Sequence, residues 1–223
     1  MRIRSIVPMK VSQITWPSTE NFPWSVKMTE TPSGWGTDTL SSFVENCRHN
    51  IFASFGNLKN EFRQLERIDK AYHESIGNLI HTPDWCTAWF LLGTHSSFLG
   101  GARLSLSGQT TEAFRVLRGC IENALYGLHI FRSPDDFETW LRRHDDAQSL
   151  QKVKNIFRTT LLFQELEAIN LNLHRVAKEL YDRTIDFGAH PNEQAFSSNM
   201  KILEGTETVK MEFKRPLKNN LPG

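Results

Sequence analysis

The chain has 223 residues, 39% of them hydrophobic and 23% charged, with 26 Lys plus Arg against 25 Asp plus Glu and a formal net charge of +1. That length suits one domain with tails, and the balanced charge counts against a broad duplex-DNA surface while leaving room for a small basic cleft. Three cysteines (Cys47, Cys86 and Cys120), odd in number and far apart with no C-x-x-C, exclude a dense disulfide scaffold and read as buried thiols of a reducing compartment.

The N-terminal MRIRSIVPMKVSQ has two early arginines but no apolar stretch behind them, so no signal peptide is expected. The longest apolar run, Ala88 to Leu92, falls far short of the ~20 residues of a membrane span. A soluble, cytoplasmic protein with no membrane partner is the expectation.

Residues 1–36 hold Pro8, Pro17, Pro23 and Pro32 with Trp16, Trp24 and Trp35 among them. Prolines so dense forbid a continuous helix, and this segment reads as an extended arm, docked through its tryptophans or binding a partner with them. From Asp38 the pattern changes to helical periodicity. Phe43, Cys47, Ile51, Phe55, Leu58, Phe62, Leu65, Tyr72, Ile76 and Leu79 form one apolar face, on one long helix or on two meeting near Gly56. After Pro83, a helix from about Asp84 to Leu106 carries Gly93, Ser97 and Gly101 on one stripe, which lets a neighbour come close.

Gly108 then breaks the chain, and Thr110 or Thr111 can cap a helix from about Glu112 to Phe131. Ser133-Pro134-Asp135-Asp136 carries an N-cap, an N1 proline and a following acid, and opens a short helix through His144. Helical periodicity runs from about Ala147 to Phe187 with a break near Asn170 to Asn172, and Gly188 is placed to end it. Lys201 to Leu203 and Val209 to Phe213 could form a weak hairpin. The expected architecture is all-α, a bundle of five to six helices over residues 37–195. An irregular tail follows over 196–223.

Metal and cofactor chemistry finds no motif. H-E-x-x-H, E-x-x-H, G-x-S-x-G and Gly-rich phosphate loops are all absent from the sequence, so no metal and no cofactor are expected. Two features remain. Arg118 and Glu122, four apart on an apolar helix, share a face, either as a structural ion pair or as the polar lining of a site for an anionic ligand. Arg183 and His190 have six residues between them, and seven helical steps of about 100° bring a side chain nearly back to the same side. Such a pair suits RNA cleavage without a metal. The histidine can act as base on the 2′-hydroxyl or acid on the leaving oxygen, and the arginine can hold the phosphate. In the structural reading, Arg183 is instead a last-turn cation and His190 a turn residue.

Two segments carry a resemblance. Residues 107–122 (SGQTTEAFRVLRGCIE) and 181–192 (YDRTIDFGAHPN) resemble an uncharacterised bacterial all-helical family, itself similar to the HEPN superfamily of helical bundles. The likeness covers roughly residues 40–195. It implies an HEPN-like bundle in which Arg183 and His190 match the Arg–His pair of the active ribonucleases, usually assembled across a homodimer. Thr184 would take the place of the polar residue after the arginine. The implied function is a metal-independent endoribonuclease of toxin or phage-defence type, with RNA and a second copy as partners. The other reading is a non-catalytic helical module that binds a partner protein or small ligand through its Trp-bearing arm or the face around Arg118.

Overall fold

The structure is a computed structural model that describes residues 31–79, 85–189, 200–204 and 209–213. Residues 1–30 of the expected arm, and His190, lie outside the described residues. The chain divides into two compact units: the helices before residue 80, with residues 106–108, belong to one, and the later helices with the strands to the other.

In the first unit, Gly34 and Gly36 adopt positive φ before Asp38 starts α1 (Thr39–Asn57). The Asp38 carboxylate accepts hydrogen bonds from the Leu40 and Ser41 amides, both at 2.9 Å, and satisfies donors that a helix start leaves open. The Ser41 hydroxyl, which also donates to this carboxylate, and these amide bonds together hold its pKa below the usual carboxylate value, the Ser41 side chain contributing most. Leu58 leaves helical geometry at φ −110° and ψ 52°, and α2 (Lys59–Gly77) begins after it. Phe55 and Phe62 meet edge to face across that joint at 4.8 Å. The long periodic stretch is therefore two helices, broken two residues beyond Gly56. Asn50 Nδ2 donates to the Ser107 carbonyl at 3.0 Å and Ser54 Oγ to the Leu106 carbonyl at 2.9 Å, which ties residues 106–108 to α1.

The second unit is built around α4 (Thr110–Arg132). Gly108 at φ +85° turns the chain out of α3 (Trp85–Leu106). The small-residue stripe of α3 meets side chains of α4: a Cβ on Gly93 would touch Asn123 at 3.4 Å, and one on Gly101 would reach Leu117 at 2.6 Å. Neither Thr110 nor Thr111 caps α4; Gln109 occupies the cap position without a side-chain bond. The short helix α5 (Asp135–Leu141) starts one residue later than expected, with Pro134 at its cap. Its Phe137 is buried beside Phe90 of α3 at 6.5 Å between ring centres.

The periodic stretch from residue 147 is three helices, α6 (Ala147–Ile156), α7 (Thr159–Ile169) and α8 (Leu171–Thr184). The Asn170 break lies where the sequence marks one, and Asn170 caps α8 by accepting from the Leu173 amide at 2.9 Å. The break at Phe157 and Arg158 has no Gly or Pro to announce it. There Phe157 is buried against Tyr126, 4.8 Å between ring centres. With the joint at Leu58, this raises the helix count above the five to six expected. Leu125, Leu162, Phe163, Leu166 and Tyr181 form the core where α4, α7 and α8 meet, each such side chain contributing about 1.5–3 kcal/mol on burial. No described helix is long and apolar enough to cross a membrane. Strands β1 (Met200–Glu204) and β2 (Val209–Phe213) pair antiparallel, with Met200 opposite Phe213.

Gly188 does not end α8 as the sequence suggested. The α-helix stops at Thr184 and widens into a π-turn, Ile185–Ala189, with Gly188 inside it. A Cβ there would lie 2.8 Å from Phe114 Cβ and 2.9 Å from the Arg115 amide nitrogen, so the glycine is required by the approach of two backbones. Arg115 Nε donates to the Gly188 carbonyl at 2.7 Å, and Phe187 stacks on Phe114 at 5.4 Å. Gly188→Ala should therefore cost about 2–3 kcal/mol. Gly56→Ala, with open space around it, should be neutral or stabilise by about 0.5 kcal/mol. Chemical denaturation of the two variants checks this, and equal stabilities would show that the π-turn can stand off α4.

Candidate functional site

The helix that carries Arg183 has two unlike faces. Tyr181 and Thr184 are buried towards α4 and α7, with Ala177 and Ile185 partly covered. Outside that buried strip, Leu173, Val176 and Leu180 remain about half exposed, at 53%, 56% and 49%. Val176, Leu180 and Arg183 follow one another at intervals of four and three, so Arg183 continues the apolar line by one turn. A shallow trough along this outer side is lined by Asn172, Arg175, Val176, Glu179, Arg183 and Asp186, among others, all from α8 and the π-turn. Arg183 donates to Glu179 Oε1 at 2.6 Å, with both side chains more than half exposed. Lys178 and Asp182 pair in the same way at 2.6 Å. Exposed i,i+4 pairs of this kind contribute a few tenths of a kcal/mol, so either cation can exchange its carboxylate for another anion at little cost.

Arg118 and Glu122 do meet, and Tyr181 joins them. Arg118 Nε donates to Glu122 Oε1 at 2.9 Å, the Tyr181 hydroxyl donates to the same oxygen at 3.0 Å, and the guanidinium lies over the Tyr181 ring at 5.4 Å. The hydrogen bond to Glu122 raises the arginine's proton affinity further above its already high value. Both charged side chains remain 37% exposed. The pair is thus half-buried, and it ties α4 to α8 through the tyrosine.

The two candidate features do not converge. Tyr181 and Arg183 are two residues apart, about 200° around the helix, so the Arg118–Glu122 pair serves the inner face of α8 and Arg183 the outer one. Thr184 is buried and its hydroxyl donates to the Tyr181 carbonyl at 2.6 Å, which turns it away from the outer face. The π-turn between Arg183 and position 190 replaces the regular helix on which the seven-step spacing rested.

One cluster escapes the sequence reading. His129 of α4 lies between Glu165 of α7 at 2.8 Å and Asp136 of α5 at 3.0 Å. The only local hint is Asp136 itself, read as a helix-start acid. Its carboxylate lies against the histidine ring, while the Asp136 amide donates to the Ser133 carbonyl.

Because the Arg118 pair is half-exposed, Arg118→Ala should cost about 1 kcal/mol, well below the 3–5 kcal/mol of a buried pair. Tyr181→Phe should cost a similar amount, and the double variant less than their sum, since both bonds end on one oxygen. Urea titrations of the three variants measure this. A loss above about 3 kcal/mol for Arg118→Ala would mean that the ion pair is buried in solution. Comparison with known proteins finds no match to any family model, curated protein or solved structure.

Proposed function

We propose that the chain is an HEPN-like, metal-independent endoribonuclease of toxin or phage-defence type, working as a homodimer in which Arg183 and His190 serve RNA. One observation carries the reading: Arg183 is exposed on the outer side of α8, in line with the uncovered Val176 and Leu180. A second copy laid against that apolar stripe would bury it and bring two Arg183 side chains to one seam. Three exposed residues of this size along one side of a short helix (Leu173, Val176 and Leu180) are more than a solvated face needs.

The chemistry follows from the residue types. A neutral histidine takes the proton of a ribose 2′-hydroxyl, the 2′-oxygen attacks the adjacent phosphorus, and the 5′-oxygen leaves with a proton from an acid such as a histidinium. The products are a 2′,3′-cyclic phosphate and a 5′-hydroxyl. Arg183, released from Glu179, binds the phosphate oxygens in a bidentate fork and offsets the charge that develops on them. The same stripe also favours a second reading, a non-catalytic module that binds a partner helix there.

The test incubates the full chain with labelled structured and unstructured RNA in excess chelator, beside Arg183→Ala, His190→Ala and Leu180→Glu. Wild type should cut, with kcat/KM at least about 100-fold lower in the first two variants. Leu180→Glu should lose both dimer and activity. If no RNA is cut, or if the Arg183 and His190 variants cut as wild type does, the nuclease reading fails. The stripe then belongs to a partner protein.

A further inference from the structure

Helix α1 leaves most of its apolar face uncovered. Among its residues only Ser41 is buried, although an apolar side chain recurs every three or four positions. Leu40, Phe43, Val44, Phe52, Phe55 and, just past the helix end, Leu58 are all exposed, from 40% for Val44 to 70% for Leu40. The size of this patch bears on its use. Phe43, Phe52 and Phe55, each a little over half exposed, leave about 100 Å² apiece in water. Leu40, Val44 and Leu58 raise the sum to about 500 Å². A stable complex takes about 800 Å² from each partner, rather more than half of it apolar. The patch therefore supplies the apolar share of one side of such an interface, and it lies in the upper part of the range that a monomer leaves bare.

The spacing of the stripe points to the occupant. Leu40, Phe43, Cys47, Ile51, Phe55 and Leu58 follow one another at intervals of three, four, four, four and three. That series is the same from either end, and the residue order L-F-C-I-F-L is nearly so. At about 100° per residue all six fall within about 120° of the helix circumference. A stripe symmetric end to end is complementary to itself when a second copy is turned over by a two-fold axis. The midpoint of the series is His49. With the axis level with that residue, Leu40 lies opposite the partner's Leu58 and Cys47 opposite the partner's Ile51. Phe43 and Phe55 then flank the seam. At the rim, Glu45 already holds Arg48, whose guanidinium lies over the Phe52 ring at 5.4 Å.

We infer that α1 is a self-association surface, through which two copies of the chain pair antiparallel about a two-fold axis level with His49. This contact is separate from the α8 seam and does not rest on the nuclease reading. A chain that makes both contacts assembles as a tetramer, and one that makes the α1 contact alone as a dimer.

Light scattering on the full chain measures the assembly mass. Leu40→Glu sets an acid against the partner's Leu58, and an acid in the first turn of α1 is compatible with the helix itself. The variant should halve the mass, from four chains to two or from two to one. Adding Leu58→Lys in the same chain should restore it, because the antiparallel register sets each new acid against the partner's new base. Within one chain the two positions are about 27 Å apart along the helix and do not meet. Leu180→Glu removes the α8 dimer alone, so failure of that reading shows as an unchanged mass in this variant. A mass unchanged by Leu40→Glu, or one lost and not recovered in the double variant, would overturn the α1 pairing and leave the face to another occupant. Should the double variant not fold by circular dichroism, the Leu40→Glu mass decides alone.

Discussion

The close approach of the π-turn to α4 is the constraint on which the second unit depends. At Gly188 the two backbones come within the reach of a single methyl group, and Arg115 fastens the contact by donating to the Gly188 carbonyl. Phe187 stacks on Phe114 beside it. To reach that contact, the chain leaves α-helical geometry after Thr184 and widens by one residue per turn, as π-turns do. This anchoring fixes the roll of α8. Tyr181 is then buried between Glu122 and Phe163, and Arg183 is turned to the outside.

The roll of α8 has an electrostatic consequence. On the inner face Glu122 accepts from both Arg118 and the Tyr181 hydroxyl, so this half-buried carboxylate has two partners. The outer face carries ion pairs that are cheap to break and apolar side chains that are only half covered. A face with exchangeable cations next to an apolar stripe is suited to a partner that brings both phosphate and hydrophobic surface, or to two partners in turn. The His129 cluster has the opposite character. His129 and its two carboxylates, Asp136 and Glu165, are largely shielded, which suits a fastening between helices rather than a surface for ligands.

Much of the helical map is legible in the sequence because its signals are local. Asp38, Asn170 and Asp146 cap helices through their own side chains, the last by accepting from the Ser149 amide at 2.6 Å. Gly108 ends a helix because it can adopt φ +85°. These acts need no distant residue. The break at Phe157 is different: it has no local punctuation, and burial against Tyr126 and His129 outweighs the propensity to continue. Likewise Ser133 loses its expected role as a cap, while the Asp136 side chain is taken by His129 across the helix joint.

The candidate residues divide along the same line. That Arg118 and Glu122 share a face follows from a spacing of four, and the sequence alone determined it. Sequence also determined a predominantly helical chain, since apolar residues every three or four positions can be buried together only on helices. Which way each helix faces was decided by tertiary structure. The Gly188 contact sets Arg183 outward, Tyr181 completes the Arg118 pair from 59 positions away, and Glu165 reaches His129 from 36 positions away. Contacts of that range depend on the mutual rotation of packed helices, and a one-dimensional pattern of hydrophobicity does not encode that rotation.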